Sequence, residues 1–187
     1  DLLEAEEEEG LPEEVVYLKG CRMVFYLKAG VRRSFFRGAS GKPEEHLLWL
    51  PAMLFDYEGP RHKLNAWFCR GSIQDIREDK ALLLPAMLPN ITNASVCLGS
   101  SMNRSAFTED AGEMMEVIID TFFNSTFNEW RFEGMRELIG TFIEIAKEPD
   151  TELVKGIENA FWQNLHPSIT EYIKKHPWVR ASRMFGR

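Results

Sequence analysis

The hydrophobic period of this 187-residue chain changes partway along, and that change limits what the chain can fold into. In the first half, apolar residues come in short β-branched and aromatic runs: Val15–Lys19, Arg22–Lys28, Val31–Arg37, His46–Phe55 and Lys63–Cys69, with Ala81–Leu84 as one more short strand. Such runs, bounded by Gly, Pro and polar residues, read as β-strands. Lys19-Gly20-Cys21 reads as a turn, and Ala29-Gly30 as a tight connection between antiparallel neighbours. Pro51 interrupts its run, so His46–Phe55 is expected as an edge strand, a bulged strand or two shorter pieces.

The second half follows a helical period. Met115, Val117-Ile118-Ile119 and Phe122 share one helix face, with Ser105 or Thr108 as the expected cap. Met135, Leu138, Ile139, Phe142, Ile145 and Ala146 make a second face, closed by Pro149. Val154, Ile157, Ala160, Phe161 and Leu165 make a third, ending at His166-Pro167, and Ile169, Tyr172 and Ile173 a fourth, stopped by His176-Pro177. Strands first and helices after predict an α+β domain: an antiparallel meander sheet with helices packed on it.

Charge divides the chain differently. Residues 1–14 hold eight acids and no base, which leaves 21 acids against 22 bases in the remainder. The net charge of -7 therefore belongs to an acidic N-terminal tail, read as solvated or as a docking segment for a basic partner. The nearly neutral body has no electrostatic footprint for nucleic acid. The expected division is a tail over 1–14, one catalytic domain over 15–165, and a C-terminal helix with a basic tail over 166–187. No apolar stretch reaches the ~18 residues of a membrane helix, and no secretory signal is visible. Cys21, Cys69 and Cys97 are too few for a disulfide framework or a closed zinc site, and reduced thiols point to the cytoplasm.

Chemistry concentrates where the two halves meet. Cys97 follows Pro89-Asn90 by a short polar turn, Thr92–Ser95, on a loop after an apolar run. A thiol that forms thioesters needs an exposed position on rigid support and a neutral donor for the oxyanion that develops at the acyl carbon. Removing one such donor costs roughly 2.7–4 kcal/mol. Asn90, seven residues upstream, is the candidate donor. Cys21 and Cys69 fall in strand-like runs and read as structural. The four histidines, His46, His62, His166 and His176, are all distant from Cys97 in sequence and lack metal spacing.

Pro89-Asn90-Ile91, the polar turn and Val96-Cys97-Leu98 resemble the cysteine segment of ubiquitin-conjugating (E2) proteins. The wider pattern is most similar to prokaryotic E2 family D, the PRTRC system protein B group. It is carried by Leu64–Gly71 ahead of the loop, Val96-Cys97-Leu98-Gly99-Ser100 at the cysteine, and Phe122-Phe123-Asn124-Ser125-Thr126-Phe127 after it. Leu88 stands where most E2s have a loop-bracing histidine, so bracing here must be apolar, and the Asn90-to-Cys97 spacing is one residue short. No acidic or polar residue matches the family's gate that positions an incoming lysine; Asn128 and Glu129 downstream share only its spacing.

The resemblance implies a UBC (E2)-like fold and a carrier enzyme, with Cys97 as nucleophile. It would receive a ubiquitin-like modifier as a thioester from an E1-like activating enzyme and pass it to a target lysine, with no metal or organic cofactor. Two other readings stay open: a non-catalytic E2-like binding module in a conjugation complex, and a cysteine hydrolase that brings one histidine to Cys97.

Overall fold

The computed structural model describes residues 10–98, 110–128, 134–147, 162 and 167–184. Strands β1 (Val15–Lys19) and β2 (Arg22–Leu27) form a hairpin over Gly20-Cys21, where Gly20 takes the positive φ of +57° that such a turn favours. The chain then leaves this sheet. Ala29 and Gly30 do not join antiparallel neighbours: β2 pairs with β5 (Met53–Glu58), while β3 (Gly30–Arg37) pairs with β4 (Pro43–Leu50).

Burial explains the switch. Met23 to Tyr26 of β2 are buried without interruption, so this strand needs cover on both faces and takes an inner position. Toward its end β3 alternates, with Ser34 and Phe36 inward and Arg33 and Arg37 outward, which suits a sheet with one solvated face. Pro51 divides its run in two, ending β4 at Leu50 and freeing β5 for the other sheet.

The main sheet runs β1-β2-β5-β6-β7-β11, antiparallel throughout, with β6 at Lys63–Arg70, β7 at Leu82–Pro85 and β11 at Val179–Arg180. Two short strands, β8 (Ile91–Thr92) and β9 (Ser95–Val96), attach to it through β6. The second sheet is β10-β3-β4, with β10 (Thr126–Phe127) parallel to β3. The architecture is α+β and mostly antiparallel, but a second sheet interrupts the expected meander.

Helices cover both faces of the main sheet. On one face Phe25, Phe55, Leu64 and Phe68 meet α2 (Ala111–Asn124) and α3 (Met135–Ala146) in the larger core. Phe55 and Phe122 pack edge to face at 5.1 Å, and Phe68 meets Phe142 at 6.2 Å. Fully burying one such ring contributes about 1.5–3 kcal/mol. The α2 cap is Asp110, whose carboxylate accepts the Glu113 N–H at 2.9 Å; Ser105 and Thr108 lie outside the described residues. So does the third apolar stretch, except Trp162, which is buried and contacts Trp178 beyond α4 (Pro167–Lys175).

On the other face α1 (Ile73–Arg77) and α5 (Ala181–Met184) place Ile76 and Ala181 over Val24, Leu54, Cys69 and Leu83. Ser72 and Asp75 form a capping box at the start of α1. Asp79 then holds α5 from more than a hundred residues away, its Oδ1 accepting the Ser182 N–H at 3.1 Å. Among the described residues no helix is long and apolar enough to cross a membrane.

Burial has a consequence at alkaline pH. It pushes the Tyr57 and Tyr172 phenols up to about 12 from an ordinary 10.0. A phenol whose folded pKa is raised binds its proton more tightly in the native state. The stability it contributes is whole below pH 10 and is lost as pH rises toward 12. Ultraviolet titration is therefore expected to show the Tyr57 and Tyr172 phenols ionising about two units late, with stability falling over that interval.

Candidate functional site

Cys97 leaves the end of a hairpin seated on β6. Ile91 pairs with Val96 and Thr92 with Ser95, leaving Asn93 and Ala94 as a two-residue turn with φ of 49° and 68°. Two positive φ values define the turn handedness that matches strand twist, and asparagine suits the first position. Ala94 is a costlier choice at about 1–2 kcal/mol. The cost is offset by contacts with β6: Ala94 is fully buried, its carbonyl accepts the Ala66 N–H at 2.8 Å, and Ser95 pairs with Asn65.

The lead into the hairpin is held from below. Leu88 is fully buried in the larger core, so the position is braced by apolar contact rather than by a polar side chain. Asn90 adopts the left-handed region at φ 65°, which asparagine tolerates better than most residues, and its carbonyl accepts the Cys97 N–H at 2.7 Å. Val96 and Leu98 pack partly into the same core while Cys97 between them is exposed. The thiol is presented outward from a support anchored on both sides.

The side chain of Asn90, only 8% exposed, works in the opposite direction. Its Nδ2 donates to the Thr126 carbonyl at 3.1 Å, and its Oδ1 accepts the Asn128 N–H at 3.2 Å. Those two backbone groups flank Phe127, whose register partner on the far side is Phe36 of β3. The carboxamide thus stands where a peptide unit of a neighbouring strand would stand, satisfying one acceptor and one donor of β10 together. One residue ties the Cys97 loop to β10 and, through it, to the second sheet.

Sequence reading missed this brace. It identified Asn90 and Asn128 separately, but a side chain-to-backbone pairing across nearly forty residues leaves no periodic signal. The structure brings Asn128 to Asn90 through its backbone N–H; Glu129 lies outside the described residues. Among the described residues no histidine bonds to Cys97. His46 lies beside Glu44 on β4, His176 packs on the Tyr172 ring, His62 sits in the β5–β6 turn, and His166 is not among those described. Nor do three or more His, Cys, Asp or Glu residues among those described cluster as metal ligands.

The other two cysteines differ from each other. Cys69 is buried on β6, as expected of a structural thiol. Cys21 is exposed, which corrects its reading as a structural thiol in a strand-like run: it occupies the second position of the turn expected at Lys19-Gly20-Cys21, where a side chain leaves the sheet. It borders an apolar groove of about 500 Å3 beside Met23, Tyr57 and Met114. Brief alkylation of the folded chain is therefore expected to modify Cys21 and Cys97 and spare Cys69 until denaturant is added. Peptide mass mapping checks this, and protection of Cys97 would remove the premise of a carrier thiol.

The fold and site together define an α+β protein with an exposed, rigidly mounted cysteine behind a Pro-Asn loop. The model of Prok-E2_D, prokaryotic E2 family D, matches residues 3–165. The chain belongs to that family, and it is an E2-like protein of the prokaryotic ubiquitin-like systems. No curated protein and no solved structure matches it.

Proposed function

We propose that this chain is a UBC-like carrier enzyme that takes a ubiquitin-like modifier onto Cys97 and passes it to an amine. The observation that supports this most strongly is the exposed Cys97 thiol on a loop fixed by Asn90, in a chain of the E2 family. In the first step the Cys97 thiolate attacks the thioester carbonyl joining the modifier to an activating enzyme. A new S–C bond forms, the old one breaks, and the departing thiolate takes up the proton that Cys97 released. In the second step a target lysine, as free amine, attacks the Cys97 thioester. The amide forms, Cys97 leaves as thiolate, and the nitrogen loses a proton to solvent.

Both steps pass through an oxyanion at the acyl carbon, and we assign Asn90 Nδ2 as its donor in the second, where the amine is a weaker nucleophile than a thiolate and the barrier is higher. The bond from Nδ2 to Thr126 fixes the plane of the carboxamide. Thiol exchange needs access more than a strong base, because the attacking group is already a thiolate. ATP is consumed upstream by the activating enzyme, so neither step requires a metal or an organic cofactor. Three free cysteines suit a reducing cytoplasm.

The test is a loading reaction with the chain, its cognate activating enzyme, the modifier and ATP. The proposal expects a band heavier by one modifier on a non-reducing gel that vanishes with thiol reductant. An unloaded chain, under conditions where the activating enzyme charges its own cysteine, would contradict it.

A further inference from the structure

A second groove, of about 410 Å3, opens on the face of the main sheet away from α2 and α3, between β2, β5 and β6 and the C-terminal segment. Its acidic groups are already engaged. Both oxygens of Asp56, whose side chain is 8% exposed, are taken by the Arg22 fork, Nε at 2.9 Å and Nη2 at 2.8 Å. Glu58 faces Arg61 outside the groove at 3.5 Å. The donors are not engaged in this way: among the described residues Lys63, Arg183 and the Asn65 carboxamide have neither an acid nor a carbonyl within bonding distance. Trp67 and Val179 supply an apolar wall beside them.

A groove with three cations against two carboxylates, one of them held by the Arg22 fork, selects a ligand with acceptor oxygens and negative charge. Its volume is several times that of a simple inorganic anion, and the indole wall suits the methylene stem of an acidic side chain. We propose that this groove binds an acidic peptide segment of a partner protein, with a glutamate carboxylate meeting Lys63 and Arg183 and its stem lying on Trp67. The cations are at the rim, so binding is weak singly and sensitive to salt. Neither Cys97 nor Asn90 lines the groove, although its Asn65 pairs with Ser95 of the Cys97 hairpin, and binding here involves no thioester chemistry.

The test titrates the full chain with an acetylated, amidated tetraglutamate, following the Trp67 indole N–H resonance, assigned by its loss in Trp67→Phe. The expected result is a saturable shift whose affinity falls about fivefold in Lys63→Gln and again in Arg183→Gln, one rim ion pair each. Both residues sit at the surface, so neither change threatens folding. Cys97→Ser is expected to bind the peptide as wild type does, which keeps this outcome distinct from failure of the carrier reading. No saturable shift, or equal affinity in the Lys63→Gln, Arg183→Gln double variant, would overturn the proposal. So would inorganic phosphate binding as tightly as the peptide, because the groove would then be a simple anion site.

Discussion

Replacing Cys97 by serine is expected to turn a thiol-labile adduct into one that survives reductant and yields only to alkali. Serine keeps the nucleophile's position, because the backbone N–H at this residue bonds the Asn90 carbonyl regardless of the side chain. The hydroxyl is a far poorer nucleophile at neutral pH, so loading slows by orders of magnitude, and the oxyester then resists amines. Cys97→Ala is expected to abolish loading without loss of stability, since the exposed thiol contributes little to packing. The pair of variants separates chemistry from structure. A serine variant whose adduct remains as reductant-labile as wild type would place the acyl group on another sulfur, and Cys21 is the exposed alternative.

The second large effect is expected at Asn90, on two quantities. Asn90→Ala removes both bonds to β10 and leaves the Thr126 carbonyl and Asn128 N–H without that partner. Losing two part-buried hydrogen bonds, with an alanine forced to φ 65°, should cost about 2–4 kcal/mol of stability. Chemical denaturation measures that loss, which is a large part of a typical total of roughly 5–15 kcal/mol. If Asn90 also donates to the oxyanion, discharge to an amine should slow by ~100-fold beyond any effect on loading. Asn90→Asp keeps the acceptor for Asn128 but sets a carboxylate oxygen against the Thr126 carbonyl, so both variants are compared with wild type at a temperature where denaturation shows all three folded. A variant that loads and discharges with the same fractional loss would make Asn90 a brace and nothing more.

The Asn90 brace also shows where sequence legibility stops. Strands β1, β2, β5 and β6 and helices α2, α3 and α4 all announce themselves by the period of their apolar residues, and Pro51 correctly divides its run. Partner choice does not. Ala29-Gly30 carries the same local signal whether the chain reverses within a sheet or crosses to another, and the outcome depends on which faces distant residues cover. Helix α1 is too short at five residues to show a period, although Ser72-x-x-Asp75 is a legible cap. The exposed position of Cys97 follows from its polar turn. The exposed position of Cys21 follows from the Lys19-Gly20-Cys21 turn and not from the strand-like run beside it.

The second sheet gives the site a mechanical context that the loop alone would lack. Phe127 packs against Phe36 at 5.4 Å and against Phe122 of α2 at 5.7 Å, so the short β10 strand is pinned on its inner side by two rings. Asn90 then meets an edge that is already fixed. A loop that must hold a thiol and an amide in constant relation gains more from such an edge than from a contact with another loop.

The measurement that bears most directly on the central claim is peptide mass mapping of the loaded chain, digested under acidic conditions that preserve thioesters. The carrier reading predicts the modifier's C-terminal residues on the peptide containing Cys97 and on no other. Their appearance on the Cys21 peptide, or on a lysine with Cys97 unmodified at every time point, would contradict it.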